Sequence, residues 1–265
     1  MALLGELVGM VSVKSATLTV MTKAVIKASR WLLRDFSELE NLQVSIKSNR
    51  AFVTSADLKA DKILRDELLR ARDRFSLLSE ESVGVIGQDS SCRWIVDPLD
   101  GTVNYMHGFP HWAISVALEM DGEIVAAVTF DPVKNEMFCA EKGCGAYMND
   151  KKIRVSGKRF SNELLIGIRT PCHAVDFSHK ISSISSSIRK TGSMTLDMAY
   201  VACGRFDALL SFQNPNLWDV AAGMLLIREA GGILATATGK STSDHRELAI
   251  ASNINLMPTL AQLLA

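Results

Sequence analysis

The chain has 265 residues, of which 48% are hydrophobic, and its 29 basic side chains balance 29 acidic ones. This length and apolar content provide enough material for one large domain or for two fused lobes with a real core. The balanced charge gives no support for nucleic acid or an anionic membrane as an obligatory partner, and we predict neither.

The first residues, MALLGELVGMVSV, are apolar but lack a basic start and contain Glu6, so we do not interpret them as a signal peptide. No run approaches the roughly 20 apolar residues of a membrane span. The five cysteines are scattered, without a C-x-x-C pair. Together these features predict a soluble, reduced protein of the cytoplasm.

Two amphipathic helices are predicted next. Apolar residues recur at helical spacing in residues 17–42 and again in residues 55–73. Ser55 is the predicted N-cap of the second helix, with Asp57 close to its start.

A strand and a meander are predicted after these helices. The apolar run WIV, residues 94–96, reads as a buried strand that ends at Pro98, because proline cannot donate to a ladder. From residue 112 to residue 155, short β-rich runs alternate with turn signals such as MDGE and KGCG. That alternation predicts an antiparallel meander.

The second half alternates between strand and helix patterns. The predicted order is strand 163–169, helix 178–190, helix 193–204, strand 205–212, helix 216–232, strands 233–238 and 247–252, and a C-terminal helix. Such alternation is typical of an α/β unit. We therefore expect an α+β N-terminal lobe over residues 1–155 and an α/β C-terminal lobe over residues 156–265, forming one catalytic unit.

The stretch WIVDPLDGTVNY, residues 94–105, places two aspartates beside turn-forming residues. Asp97 and Asp100 flank the predicted turn, and carboxylates that close together repel unless a cation lies between them. Oxygen ligands of this kind suit Mg²⁺. Gly101 and Thr102 follow, and glycine lets backbone N–H groups approach an anion. The local pattern indicates a metal ion and a phosphate group.

Other carboxylates decide how this stretch is interpreted. An isolated D-G-T is more often an Asx turn with a capping threonine than a catalytic site. Glu80 and Glu81 end an apolar run in LLSEES, and Asp219 lies at a predicted helix start in NLWDVAAG. Each is a weak signal alone, since an aspartate at a helix start is commonly a cap.

Four segments occur in one order along the chain: VTSADLKAD, SEES, WIVDPLDGTVNYMHGFP and NLWDVAAG followed by EAGG. In this order and spacing they resemble the inositol monophosphatase family over nearly the whole chain, from about Thr17 to the last helix. The resemblance implies an α/β fold of the sugar-phosphatase type, a layered αβαβα sandwich with the active site between the two lobes. It also implies a homodimer, inhibition by lithium, and hydrolysis of inositol 1-phosphate or a similar small polyol phosphate.

The resemblance further implies two or three Mg²⁺ ions in each active site. Glu80, Asp97 and the backbone carbonyl of Leu99 would hold the first ion. Asp97, Asp100 and Asp219 would hold the second. Paired ions of this kind activate a water molecule and stabilise the leaving oxygen, so no phosphoenzyme is required.

The catalytic and phosphate-binding roles come from the same resemblance. Asp57 would help a third, weaker metal site and hydrogen-bond Thr102. Thr102 and Glu80 would orient the nucleophilic water. Backbone N–H groups of Gly101 and Thr102 would bind the phosphate, and Asp219 would also lie against the substrate.

The segment KTGSMTLDMAYVACGRFDAL resembles the substrate-side helix of the family. Gly192 and Ser193 would then lie close to the substrate, although Ser193 is equally well explained as a plain N-cap.

The chain departs from the family just before Trp218. Members that handle inositol phosphates usually carry a glutamate there that contacts ring hydroxyls, whereas ALLSFQNPNLWD contains no acidic residue before Asp219. Ser211, Gln213 or Asn214 would then supply neutral contacts, or the substrate is another phosphomonoester, such as histidinol phosphate, fructose bisphosphate or phosphoadenosine phosphate.

Two other functions were weighed against this one. Haloacid-dehalogenase-type phosphatases carry D-x-D-G-T, but their aspartates are two residues apart, whereas Asp97 and Asp100 are three apart with a proline between them. A regulatory, transcription-associated binding protein is the second alternative. The neutral charge and the complete carboxylate set give it no positive support.

Overall fold

A computed structural model describes residues 15–41, 46–159, 163–169 and 187–264 of the protein. Its helices are α1 (Ala16–Asn41), α2 (Ile46–Ala71), α3 (Thr102–Met106), α4 (Met194–Ala202), α5 (Leu217–Glu229) and α6 (Met257–Leu264). Its strands are β1 (Phe75–Ser79), β2 (Asp89–Asp100), β3 (Ala113–Met120), β4 (Glu123–Asp131), β5 (Glu136–Glu141), β6 (Gly145–Met148), β7 (Lys151–Lys152), β8 (Leu165–Arg169), β9 (Ser187–Arg189), β10 (Ala208–Ser211), β11 (Ile233–Ala235) and β12 (Ile250–Ser252).

The strands form two sheets. The first has the order β1-β2-β3-β4-β5-β6-β7, with β1 parallel to β2 and all other pairs antiparallel. The predicted meander is therefore confirmed. The second has the order β11-β12-β10-β8-β9, in which β8 runs parallel to both β9 and β10.

Side chains alternate along β2 and connect the layers. Trp94 and Val96 pack into a core shared with α1 and α2, whereas Ile95 packs into a second core shared with α4 and α5. This period of two is that of a strand buried on both faces.

The second core also reaches the other sheet. It includes Met198 of α4, Leu225 of α5 and Leu209 of β10, and a third core packs Leu260 of α6 against Leu210 on the opposite face. The layers are thus helices, sheet, helices, sheet, helix, and the predicted αβαβα sandwich is confirmed.

Two helix predictions were wrong. Helix α2 begins at Ile46, so Ser55 lies inside it and is not its N-cap. No proline or glycine interrupts residues 46–54, and serine is tolerated within a helix. Residues 187–189 form strand β9, where Ile188 pairs with Ile166, so sheet pairing outweighs the helical spacing of the serines. The rest of that predicted helix, residues 178–186, lies outside the described residues.

No membrane span is found among the described helices. None of them combines the length and the apolar character needed to cross a bilayer.

Candidate active site

The parallel pairing of β1 and β2 brings two acids together. Ser79, the last residue of β1, pairs with Val96 of β2, and the Glu80 N–H donates to the Val96 carbonyl at 3.3 Å. Glu80, just after β1, and Asp97, within β2, therefore lie at the same level. Carboxyl ends of parallel strands are where α/β proteins commonly place functional side chains.

The predicted turn at Pro98 is a β-bulge within a continuous strand, so that prediction was wrong. Asp97 pairs with Ser115 and Asp100 pairs with Ala113, which leaves one extra residue on β2. Proline is tolerated there because a bulge residue needs no ladder N–H. The bulge still separates two aspartates that remain at one end of the sheet.

Glycine is required immediately after the bulge. Gly101 has φ 92°, and a Cβ at this position would lie 3.0 Å from the His111 carbonyl oxygen. The chain turns here from β2 into the short helix α3, which begins at Thr102. The buried Tyr105 hydroxyl donates to the Leu32 carbonyl at 2.8 Å and so anchors α3 to α1.

The third acid comes from the second half of the chain. Asp219 lies in the first turn of α5, and its Oδ2 accepts from the Asn216 N–H at 3.2 Å. The same oxygen lies 3.5 Å from Nη2 of Arg169, at the end of β8. Asp219 therefore caps its helix and also reaches the other acids, so the two interpretations of this residue are compatible.

Three of these carboxylates form a cluster. Glu80, Asp97 and Asp219 each offer an oxygen, and these oxygens all lie within 4.8 Å of one another. Asp57 is 3% exposed, and its Oδ1 is buried without a hydrogen-bond partner. A buried carboxylate oxygen without a donor is costly unless a cation or a proton compensates it. The all-oxygen donor set fits Mg²⁺.

The Thr102 hydroxyl has a different partner from the one predicted. It donates to the Leu99 carbonyl at 3.1 Å and not to Asp57. The Leu99 N–H in turn donates to Asp97 Oδ1 at 3.1 Å. The bulge geometry brings the Leu99 carbonyl within reach of Thr102, three residues further along.

Burial and mutual repulsion hold protons on the cluster when no cation is bound. Burial, with repulsion from Glu81 and Glu80, raises the pKa of Asp57 to about 9. Burial, with repulsion from Asp219, raises the pKa of Glu80 to about 7. The pKa of Asp97 is raised well above its usual range, first by burial and then by Asp100. A bound cation would remove this penalty.

These raised pKa values predict how the stability of the metal-free protein depends on pH. The folded chain keeps the Asp57 proton up to about pH 9, whereas the unfolded chain loses it near its ordinary pKa of 3.8. Between these values the unfolded state binds fewer protons, so the free energy of unfolding decreases as pH rises. We expect the Tm in chelator to fall from about pH 5 to about pH 9.

Calorimetry in chelator and in saturating Mg²⁺ measures this dependence. The Asp57→Asn variant should show a shallower fall in chelator, and Mg²⁺ should flatten the wild-type profile. A wild-type Tm that rises over this range in chelator would contradict the electrostatics of the cluster.

Asp100 is hydrogen-bonded to the N-terminus of α4 and is not one of the three acids whose oxygens meet within 4.8 Å. Its Oδ2 accepts from the Ser193 hydroxyl at 2.5 Å, from the Thr195 N–H at 2.8 Å and from the Thr195 hydroxyl at 2.6 Å. The Ser193 hydroxyl also accepts from the Leu196 N–H at 3.3 Å. Ser193 is therefore the N-cap of α4, as one of the two interpretations predicted.

Gly192 precedes this cap and contacts α3. It has φ 90°, and a Cβ there would lie 3.0 Å from the Asn104 side-chain amide. The same amide donates to the His111 carbonyl at 2.7 Å and to the Thr191 carbonyl at 2.9 Å. Asn104 thus ties the two halves of the site together.

Sequence reasoning missed Thr195, Arg169 and Asn104. Thr195 lies two residues after the predicted cap, and cap preference pointed only to Ser193. Arg169 ends a predicted strand, and the parallel pairing of β8 with β10 would have placed it at the functional edge of the sheet.

The segment before Trp218 lines a pocket of about 650 Å³. Ser211, Phe212, Gln213 and Asn214 form one wall of it. The Phe212 N–H donates to the Arg169 carbonyl at 2.8 Å, which connects this wall to the end of β8.

The layered fold and its carboxylate cluster are those of a family of metal-dependent phosphatases. The profile of the inositol monophosphatase family matches residues 14–265, and the chain belongs to this family. An inositol-1-monophosphatase of Rhizobium meliloti (strain 1021) is 47% identical over 234 residues, covering 85% of this chain and 87% of that protein.

Proteins with other names are also similar. A Nus factor SuhB of Xylella fastidiosa (strain Temecula1 / ATCC 700964) is 41% identical over 227 residues, covering 83% of this chain and 82% of that protein. The crystal structure of the extragenic suppressor protein suhB from Bartonella henselae matches with a TM-score of 0.85 at 41% identity, covering 94% of this chain and 99% of that one.

Proposed function

We propose that the protein is a Mg²⁺-dependent phosphomonoesterase that hydrolyses inositol 1-phosphate or a similar small polyol phosphate. The observation that carries this proposal is the convergence of Glu80, Asp97 and Asp219 within 4.8 Å in a chain of the inositol monophosphatase family. Asp97 and Asp219 are buried and Glu80 is exposed beside them, and three acids at that distance are unfavourable unless they bind cations or protons.

The proposed ligands follow from the same cluster. Glu80, Asp97 and the Leu99 carbonyl would hold one ion, and Asp97, Asp100 and Asp219 a second. Asp57, with its unpartnered buried oxygen, would serve a third and weaker site. When bound, Mg²⁺ lowers the pKa of a water ligand and neutralises charge on the leaving oxygen.

The residues of the chain have separate tasks in this proposal. The Thr102 hydroxyl donates a hydrogen bond to the Leu99 carbonyl. The lone pairs of its oxygen are therefore available to accept a hydrogen bond from a water molecule. Glu80, whose carboxylate lies within 4.8 Å of those of Asp97 and Asp219, would help to orient the same water molecule. Backbone N–H groups of Gly101 and Thr102 would bind the phosphate.

The remaining proposed contacts come from the second half of the chain. Asp219 and the Gly192–Ser193 turn would lie against the substrate. We further propose that residues 1–155 and 156–265 are the two lobes of one catalytic unit, since Asp219 and Asp97 come from opposite sides of that boundary.

A substrate screen tests this function. Phosphate release would be measured with Mg²⁺ over inositol 1-phosphate, fructose 1,6-bisphosphate, histidinol phosphate, glycerol 2-phosphate and phosphoadenosine phosphate. We expect the highest kcat/KM for small polyol phosphates. A clear preference for one of the other phosphates would show that the substrate is not a small polyol phosphate but that of another phosphatase of the superfamily. No phosphate release from any of them would refute the proposed activity.

The segment just before Trp218 predicts loose selectivity. A glutamate that accepts from ring hydroxyls contributes about 1.5–3 kcal/mol, or roughly ten- to a hundredfold in selectivity. This chain has no such acid, so we expect kcat/KM for inositol 1-phosphate to lie within about tenfold of that for glycerol 2-phosphate.

Glutamate substitutions test this prediction. The Phe212→Glu variant should widen the gap, whereas Ser211 is buried and already donates to the Gln213 carbonyl at 2.9 Å, so Ser211→Glu should do so less well. If an exposed amide replaces the acid, alanine at Gln213, Asn214 or Asn216 would abolish a preference seen in the wild type. A strong preference for inositol 1-phosphate that survives all three alanines would show that recognition lies elsewhere.

Assembly, inhibition and location extend the proposal. We propose a homodimer, inhibition by lithium, and a cytoplasmic protein with neither a membrane nor a nucleic-acid partner. The described cysteines Cys92, Cys139, Cys144 and Cys203 are free, which is typical of a reducing compartment. Light scattering and lithium titration of phosphate release measure the first two properties.

A transcription-associated role is the second candidate, because a similar protein is named Nus factor SuhB. Binding and catalysis are separable by one variant. Asp97→Asn should lose phosphate release but keep any protein partner recovered with the wild type. If no partner is recovered with either protein, the phosphatase function stands alone.

A further inference from the structure

The Asp100 carboxylate is the point where the N-terminal half of the site meets helix α4. One oxygen, Oδ2, accepts three hydrogen bonds, from the Ser193 hydroxyl and from the backbone and side chain of Thr195, at 2.5, 2.8 and 2.6 Å. Asp100, Ser193 and Thr195 are all buried. Hydrogen bonds to a buried carboxylate are among the strong ones.

Helix capping does not account for the Thr195 hydroxyl. The Ser193 side chain already caps α4 by accepting from the Leu196 N–H. Among the hydrogen bonds of the described residues, the Thr195 hydroxyl makes only the one to Asp100. The Thr195 hydroxyl therefore acts on the Asp100 carboxylate and not on the helix cap.

Three donors on one oxygen constrain what Asp100 can offer. They occupy the lone-pair positions of Oδ2 and oppose rotation of the carboxylate. None of the hydrogen bonds of the described residues involves Oδ1. Asp100 is accordingly absent from the tight group of Glu80, Asp97 and Asp219, whose oxygens lie within 4.8 Å.

We propose that Thr195 is a positioning residue that fixes the rotation of the Asp100 carboxylate and leaves Oδ1 as the oxygen available to the cation that Asp100 and Asp219 would hold. Its hydroxyl thereby sets the affinity of that cation. The inference rests on the metal-dependent function proposed above. It adds Thr195, from the second half of the chain, as a residue that orients Asp100, from the first half.

Direct metal binding tests this inference. Mn²⁺ would be titrated into the folded, metal-free protein and followed by electron paramagnetic resonance. We expect Thr195→Val to weaken the weaker of the two main Mn²⁺ sites about tenfold, as for loss of one charge-assisted hydrogen bond. Thr195→Ser keeps the hydroxyl and should bind like the wild type. The Mg²⁺ concentration for half-maximal phosphate release should shift in parallel, with KM for substrate unchanged.

A matched control separates positioning from stability. Thr22→Val also removes a buried hydroxyl, which donates to the Leu18 and Thr19 carbonyls within α1, and should lower Tm without changing Mn²⁺ binding. If Thr195→Val does not fold, Thr195→Ala and Ser193→Ala replace it, with the same expected weakening.

Three results would overturn the inference. Folded Thr195→Val that binds Mn²⁺ as the wild type does would show that the hydroxyl has no positioning role. Equal losses in Thr195→Val and Thr195→Ser would assign the effect to packing. A wild type that binds no Mn²⁺ and releases no phosphate would refute the proposed function itself, and this inference with it.

Discussion

Asp97→Asn is expected to slow phosphate release by about a thousandfold or more while the protein stays folded. Asp97 is 1% exposed and lies at the centre of the cluster. As the proposed bridge between both ions, it controls several kcal/mol of transition-state stabilisation, and each 1.36 kcal/mol corresponds to about a factor of ten. Phosphate release at saturating Mg²⁺ measures the loss.

The same substitution that lowers activity should raise the stability of the metal-free protein. The raised pKa of Asp97 means that its charge opposes folding near neutral pH when no metal is bound. Asparagine has the same shape without that charge, so Tm in chelator should rise.

Asp207→Asn is the matched control for this variant. Asp207 is also buried, but it pairs with Lys158 at 3.1 Å and accepts from the Leu165 N–H. Its loss should lower Tm and leave kcat unchanged. A folded Asp97→Asn enzyme with wild-type turnover would contradict the bridging role.

Thr102→Ala should lower kcat by about a hundredfold, with Mg²⁺ affinity nearly unchanged. The hydroxyl is held by the Leu99 carbonyl at 3.1 Å and is proposed to orient water, without being a main metal ligand. Positioned proton-transfer and water-orienting groups typically contribute about 10²–10⁴ in rate. Steady-state kinetics across a Mg²⁺ titration separate the two parameters.

Thr102→Ser is the control, because it keeps the hydroxyl and should recover most of kcat. If Thr102→Ala weakens Mg²⁺ binding and leaves kcat unchanged, Thr102 serves the metal site and is not a catalytic residue.

The convergence of Glu80, Asp97 and Asp219 was predictable because they lie at ends of elements that the sequence marks clearly. Glu80 and Asp97 each follow an apolar strand, and Asp219 follows a helix start. The register of β1 against β2 then brings the first two together. Each of these predictions depends only on a few neighbouring residues. An error elsewhere, such as the wrong predicted start of α2, therefore does not affect it.

The hydrogen-bond partners of Asp100 and Thr102 were less predictable. Asp100 meets Thr195 across 95 residues of sequence, and such pairing depends on how α4 packs between the two sheets. The hydrogen-bond partner of Thr102 depends on the bulge in β2. The sequence predicted the end of a strand there, because proline cannot donate to a ladder. Local preference describes neither a bulge register nor a contact between layers.

The Mg²⁺ requirement of phosphate release is the most direct test of the central claim. Wild-type protein would be stripped with chelator, assayed with inositol 1-phosphate and glycerol 2-phosphate, and then titrated with Mg²⁺. We predict no release in chelator and full recovery on adding Mg²⁺, with Asp97→Asn inactive throughout. Release that persists in excess chelator, or that Asp97→Asn retains, would contradict hydrolysis at this carboxylate cluster.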